Sequence, residues 1–406
     1  MSEERPKLRP LDMVPVQVRG QAAFLLRDPQ RLSTAEMVVP ADMAFLISKF
    51  DGTRTVREAQ VEYVRRFGAL LTSDKINELL RLLDEAHLLD TEGFQKFKAQ
   101  LAADFRARPS RPAAHARSSY PEGAAAFTRA WEVRLDAAAL PQDFALDHQR
   151  PLVIAPHYDM NAAAECYAAA YALLAKAQRP HVVVILGVAH AGSSPFVLTR
   201  KPFETPFGSL EVDEQIIESL EKSSPFDLYA EELVHRDEHS VEFQAVLTHF
   251  LYREDSEPPE IVPILCGPYH REKDQLADPA RAGPVRQFLD SLRGILAADS
   301  RRVAVIASAD LSHIGVRFGQ PPVTQVHLEL AGRHDLALLE KAQVGDADGL
   351  YQTLAQEQDR YNVCGFPAIY ALVRALAIGE GRLLAYRQAT EPQTQSSVSF
   401  AGVGLR

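Results

Sequence analysis

Four short runs of nearly continuous apolar residues constrain this chain more than any other feature: PLVIAP (151–156), HVVVILGV (181–188), EIVPILCG (260–267) and RVAVIASA (302–309). Runs of this length suit strands buried on both faces, the mark of a sheet covered by helices on each side. The intervening sequence supplies such helices, with helical spacing in NAAAECYAAAYALLAKAQ (161–178) and in PVRQFLDSLRGILAADS (284–300). Strands alternating with helices predict an α/β fold of three layers. Beyond them come a helical stretch, PAIYALVRALAIG (367–379), and two β-rich stretches, RLLAYRQA (382–389) and SVSFAGVGL (397–405). If the last pair lies antiparallel, the sheet is mixed.

A chain of 406 residues can bury more than one core. FRARPSRPAAHARSSYPEGAA (105–125) is rich in Pro, Ser, Arg and Ala and lacks an apolar periodicity, so it reads as an exposed linker. The expected organisation is a small domain over 1–104, a linker over 105–125 and the α/β domain over 126–406. The small domain opens with alternating stretches, VPVQV and AFLLRD, that predict a hairpin. Helical patterns follow in STAEMVVPADMAFLISKF, TVREAQVEYVRRFG and SDKINELLRLLDEAHLLD. In the last of these Ile76, Leu79, Leu80, Leu82, Leu83 and Leu88 recur at helical spacing behind a Ser73 or Asp74 cap, while Gly52 fits a helix end and Thr55 a helix cap. No group of residues in this part is equipped for acid, base or metal chemistry.

Composition narrows the function. With 54 acids against 44 bases the net charge is -10, which offers no broad basic face to a nucleic acid. Cys166, Cys266 and Cys364 lie far apart, which argues against a disulfide framework or a CxxC motif and for a cytoplasmic protein. The start, MSEERPKLRP, lacks the apolar core of a signal peptide, and no apolar run is long enough for a membrane span.

Thirteen histidines are unevenly spread, with only His87 and His115 before His148. Ligands in open α/β sheets bind beyond the carboxyl ends of the strands. His157, His190 and His313 all follow such runs. One histidine there is ordinary, but three predict a shared polar or metal site. A fourth candidate is RDEHSVEF: on a helix, His239 and Glu242 are spaced to converge on one ion, and Asp237 or Glu238 can orient an imidazole from behind. ASADLSH adds Asp310, Ser312 and His313. Imidazole and carboxylate donors suit iron, copper, nickel or zinc. GxGxxG after a strand, GxxxxGK[ST], HExxH and GxSxG are all missing, which disfavours nucleotide, zincin and serine-hydrolase chemistry. Cys266 and Cys364 read as packing residues.

Two resemblances complete the reading. The order of hairpin, DGTRTV, helix and leucine-rich helix ending in HLLD, over roughly residues 8–92, resembles the PqqD-like winged-helix fold. That implies peptide recognition by strand addition to a sheet edge. Over roughly residues 150–405, APHYDMNAAAECYAAAY, LGVAHAG, TPFGSLEVDEQ, DEHSVEFQ, VPILCG, SADLSHIG and NVCGFPAIYALVRA resemble, in order, the MEMO-like family, also called AmmeMemoRadiSam system protein B. The resemblance implies an α/β/α sandwich on a mixed sheet, similar to class III extradiol dioxygenases, with a metal pocket at the strand ends. It implies His157, His190 and His239 as metal-site histidines. The family's cysteine ligand is matched to Ser312, which implies that a thiolate is missing here and that His313, Asp310 or His239 completes the site. The family's APHxGYxYSG loop reads APHYDMNAAA, so the pocket differs from the typical member.

What the resemblance implies is a metal-dependent protein of redox or oxygen-handling type; the imidazole and carboxylate donors favour iron(II), with copper or zinc as alternatives. Its ligands are His157, His190 and His239, with His239, His313 and Asp310 as acid-base residues, and its substrate is a small molecule. AMMECR1-like and radical SAM proteins are associated partners. The alternatives are a peptide- or partner-binding protein that keeps the pocket structurally, and a zinc-type hydrolase.

Overall fold

The computed structural model describes residues 4–272 and 275–406. The chain divides into two compact units, Met1–Arg108 and Pro109–Arg406.

In the first unit, β1 (Asp12–Val18), β2 (Gln21–Arg27) and β3 (Met37–Pro40) form an antiparallel sheet in that order. Arg19 and Gly20, with φ of 52° and 79°, make the two-residue turn between β1 and β2 that the strand twist favours. Four helices follow: α1 (Ala41–Ile47), α2 (Val56–Phe67), α3 (Ser73–Glu85) and α4 (Glu92–Ala107). Two differences from the sequence reading stand out. Met37–Pro40 is a strand, because the β-branched Val38 and Val39 pair with β2 and Pro40, tolerated only at a helix start, delays α1 until Ala41. A fourth helix, α4, runs into the segment read as linker. Thr55 caps α2 in a reciprocal box with Glu58, as expected, whereas the cap position of α3 is Thr72, without a side-chain bond. Leu26, Ile47, Phe50, Ala59, Ile76, Leu83 and Leu88 form the core, and Arg9 pairs with Asp28 at 2.7 Å beside it, both side chains buried.

The second unit begins with α5 (Ala124–Asp136), β4 (Leu152–Ala155), α6 (Ala164–Ala175), β5 (Val182–Val188) and β6 (Phe196–Leu198). A small hairpin of β7 (Phe203–Thr205) and β8 (Gly208–Leu210) leads to α7 (Glu214–Ser223) and α8 (His239–Leu251). Then come β9 (Glu260–Cys266), the short β10 (Arg271–Glu272) and β11 (Gln275–Leu276), α9 (Gly283–Ala298), β12 (Val303–Ser308) and β13 (Asp310–Gly315). The last elements are α10 (Gln325–Gln343), α11 (Ala347–Gln356), α12 (Phe366–Ala375), β14 (Gly381–Glu391) and β15 (Ser396–Leu405).

All four apolar runs are strands of one eight-stranded sheet, ordered β13-β15-β4-β12-β5-β9-β6, with β14 also paired to β15. β4, β12, β5 and β9 are mutually parallel, and β6, β13, β14 and β15 join antiparallel, so the sheet is mixed. Helices α6 and α8 cover one face, and α10 and α12 the other. The fold is therefore a three-layer α/β/α sandwich. No helix among the described residues is long and apolar enough to cross a membrane.

The expected linker is not an exposed linker. Phe105–Ala107 belongs to α4, and Arg111 pairs with the strand residue Phe203: its N–H donates to the Pro202 carbonyl at 2.8 Å, and its carbonyl accepts from Glu204 at 2.9 Å. Arg111, His115 and Tyr120 are buried. Their polar groups find partners more than 100 residues away in sequence, and so a polar, proline-rich segment packs inside.

Candidate metal centre

Helix α8 is buried at every residue from Ser240 to Phe250. A helix sunk this deeply must find partners for its polar side chains, and Ser240 and Gln244 find them at three strand ends. Ser240 Oγ donates to the Val188 carbonyl at 3.0 Å and accepts from the Val188 N–H at 3.0 Å. Gln244 Nε2 donates to the Pro156 carbonyl at 2.7 Å and to Ser308 Oγ at 2.9 Å. The carboxyl ends of β4, β5 and β12 are thus fixed to one helical turn. Gly187 permits the approach, since a Cβ there lies 2.7 Å from both Ser240 Oγ and Val241 Cγ2.

Three histidines meet at this junction: His157 just beyond β4, His190 just beyond β5, and His239 as the first residue of α8. Their ring centroids are 5.0–5.3 Å apart, and each offers a ligand atom within 4.8 Å of the other two. His157 Nδ1 donates to the Ser308 carbonyl at 3.0 Å, which leaves the lone pair on Nε2. Burial holds this imidazole neutral, with its pKa down at about 3. Glu238 organises the other two. Its carboxylate accepts from His190 Nδ1 at 3.1 Å, from the His190 N–H at 3.1 Å and from the Ser240 N–H at 3.0 Å, and lies 3.3 Å from His239 Nδ1. Burial alone raises the Glu238 pKa, but His190, His239 and the Ser240 amide outweigh it and hold the carboxyl well below the usual range. His190 shifts upward, since Glu238 overcomes the cost of burial, while burial and the neighbouring imidazoles push His239 well down.

A second cluster shares His157. Asp310 Oδ1 accepts from the backbone N–H of His157 at 2.9 Å and of Tyr158 at 3.1 Å, and its Oδ2 lies 3.5 Å from His157 Nε2. Burial lifts its pKa to about 6. The third member is Cys364, whose Sγ is 3.3 Å from His157 Nε2. Sulfur therefore lies beside the site, where the sequence reading placed none, although burial keeps this thiol well above its usual pKa. Ser312 is no donor here: its hydroxyl bonds to the buried Asp335 carboxylate, which also accepts from Tyr386 and Ser399.

Cys364 reaches His157 because its loop is unusual. Gln358, Asp359 and Asn362 adopt left-handed φ of 52°, 49° and 50°, a conformation that costs non-glycine residues energy and persists where surroundings enforce it. Arg271 pairs with Asp359, Asn362 Nδ2 donates to the His313 carbonyl at 3.1 Å, and the Gly365 N–H donates to the Asp310 carbonyl at 3.1 Å. A Cβ on Gly365 sits 2.3 Å from that carbonyl oxygen, so glycine is required beside the cysteine.

Two further expectations change. His313 lies within β13, not in a loop after a strand; its Nδ1 donates to the Leu311 carbonyl at 2.9 Å, and it belongs to neither ligand cluster, although its nearness tends to lower the Asp310 pKa. Burial brings its pKa to about 4. Glu242 does not converge with His239. It is fully buried against Arg111, Tyr120 and the His115 amide. Of the two acids thought to orient an imidazole, Glu238 does so, while Asp237 pairs with Arg236.

Comparison with known proteins agrees with this architecture. The model of the family described as Memo-like protein matches residues 111–404. A MEMO1 family protein of Aquifex aeolicus is 28% identical over 403 residues, spanning 98% of this chain and 99% of its own. Another, from Thermus thermophilus, is 30% identical over 350 residues, covering 85% and 97%. A third, from Caldivirga maquilingensis, is 28% identical over 264 residues, covering 62% and 82%. Since the match takes in nearly the whole α/β unit, histidine cluster included, the chain belongs to the Memo-like family.

Proposed function

We propose that the α/β unit binds iron(II), in preference to copper or zinc, through His157, His190 and His239, with Cys364 as a further donor, and performs redox or oxygen-handling chemistry on a small molecule. The observation that carries this is the pair of imidazoles whose Nδ1 atoms are engaged from behind, by Ser308 and Glu238, while their ligand atoms cluster with that of His239. Nitrogen and sulfur donors fit these ions and do not fit calcium or magnesium. When bound, such an ion supplies Lewis acidity and, for iron or copper, one-electron chemistry.

The chain's own residues handle orientation and protons. Glu238 fixes His190 and His239. Asp310, with its pKa near 6, can hold or release a proton close to neutrality, and His313, kept neutral by burial, can accept one. Where sulfur takes the third ligand position, His239 is free to act as the base. Family association supports a modification pathway shared with AMMECR1-like and radical SAM proteins, in which the first unit, as a PqqD-like domain, binds a peptide.

Protein purified without a tag under anaerobic conditions is expected to carry about one iron per chain and to consume oxygen with a catechol or a small carbonyl compound. Bound zinc with oxygen-independent hydrolysis overturns the redox reading.

A further inference from the structure

We infer that residues 110–120, and Arg111 above all, position the metal centre by holding the backbone corner that carries Glu238 and His239. This rests on the metal-site reading above, and goes beyond it by assigning a role to the first residues of the second unit.

Arg111 is fully buried, and its guanidinium is aimed at that corner. Nε donates to the His235 carbonyl at 2.9 Å, Nη2 to the Glu238 carbonyl at 2.8 Å, and Nη1 to the Pro112 carbonyl at 2.8 Å and to the Glu242 carboxylate. His115 supplies the missing contact, with Nε2 2.9 Å from the Asp237 carbonyl and its backbone N–H donating to Glu242 at 2.9 Å. Carbonyls 235, 237 and 238 are therefore all held from one segment. Tyr120 closes the arrangement through its hydroxyl to Glu242, and the His115 ring lies 5.7 Å from that of His239.

The need for an outside hold is local. The 3-10 turn Glu232–Arg236 ends just before α8 begins at His239, so Asp237 and Glu238 lie outside both helices. Their path is set by whatever pairs their polar backbone groups. Glu238 in turn aims two of the three imidazoles, and outer-shell partners of this kind tune metal affinity. Arg111 and His115 touch no ligand atom named above as a metal donor except through this corner, so they are positioning residues.

The test uses the full chain. In the double variant Arg111→Met/Glu242→Leu both charges leave together, so no unpaired ion is left buried. His115→Phe keeps an aromatic ring and loses the Asp237 bond. Wild type and variants are titrated with cobalt(II) and iron(II) against a chelator, with Tm measured in parallel. Hydrogen exchange is followed in metal-free protein at amides 188–190 and 238–241. The expected result is metal binding at least about tenfold weaker in both variants, an altered cobalt(II) spectrum, a Tm for His115→Phe close to wild type, and faster exchange at those amides. Wild-type affinity and spectrum in a folded variant overturn the inference. If the wild type itself binds neither ion, the metal reading falls and exchange alone decides: unchanged exchange in the variants rejects positioning, and faster exchange at the corner retains it.

Discussion

On one side of His157, His190 and His239 lean on a single carboxylate, and their side chains remain 36% and 32% exposed. On the other, Asp310 is 2% exposed, and both it and the Cys364 loop are held by backbone amides, through His157, Tyr158 and Gly365. The first half is set by one electrostatic hub and opens outward. The second is set by main-chain geometry and is closed, so it governs the character of the donors. One residue, His157, joins the two.

The largest expected effect is therefore that of His157→Ala. Metal affinity should fall by more than about a hundredfold, beyond the range of an outer partner, as read by elemental analysis after dialysis; retained metal shows that the halves do not act through this residue. Next come Glu238→Gln and Cys364→Ser, one for each half. The first should weaken binding about 10- to 100-fold. The second should weaken it about tenfold and shift preference away from ions that favour sulfur. The opposite order makes the closed half the principal one.

The smallest effect on metal affinity is expected from two buried histidines behind the halves, which act on stability instead. His235 donates to the Val197 carbonyl and precedes the Glu238 corner, and His270 packs 4.8 Å from Phe366, next to the Cys364 loop. Burial lowers their pKa values from 6.5 to about 4 and about 3. Both are neutral when folded and take up a proton when unfolded, so the stability they secure is complete above pH 6.5. It declines as pH falls from 6.5 toward 4, by about 1.4 kcal/mol per pH unit for each histidine. Urea denaturation across that range should show the slope, and His270→Phe should reduce it by about 1.4 kcal/mol per pH unit, the share of one histidine; a profile that stays flat in the wild type shows that neither histidine is protonated only on unfolding.

The imidazole half was legible in the sequence. Apolar runs mark β4 and β5 and ligands collect at strand ends, which groups His157 and His190 with His313; DEHSVEF offers His239 as a fourth candidate, and the family resemblance joins it to the first two. The sulfur half was not. Cys364 precedes a helix by two residues and reaches His157 only because Gln358, Asp359 and Asn362 turn left-handed, which no periodicity encodes. Arg111 and His115 were read as linker for a related reason. Their partners, Glu242 and the 235–238 corner, are distant in sequence, and a buried polar residue with a distant partner has the same local composition as a solvated one. The winding of the sheet was legible only in part: β15 was expected beside β14, but not between β14 and β4.

The place of β15 bears on how the protein comes into being. It pairs with β14 along one edge and with β13 and β4 along the other, while β4 has, among the described residues, only β12 and β15 for neighbours. On a growing polypeptide the strand that leads to His157 thus waits, unpaired on one flank, until residues 396–405 have been translated. The first unit can fold as it leaves the ribosome, but the centre of the second cannot. The strand ends that carry the site are thus complete only once β15 has been made, and a ribosome stalled before β15 would expose the unpaired edge of β4 to other chains.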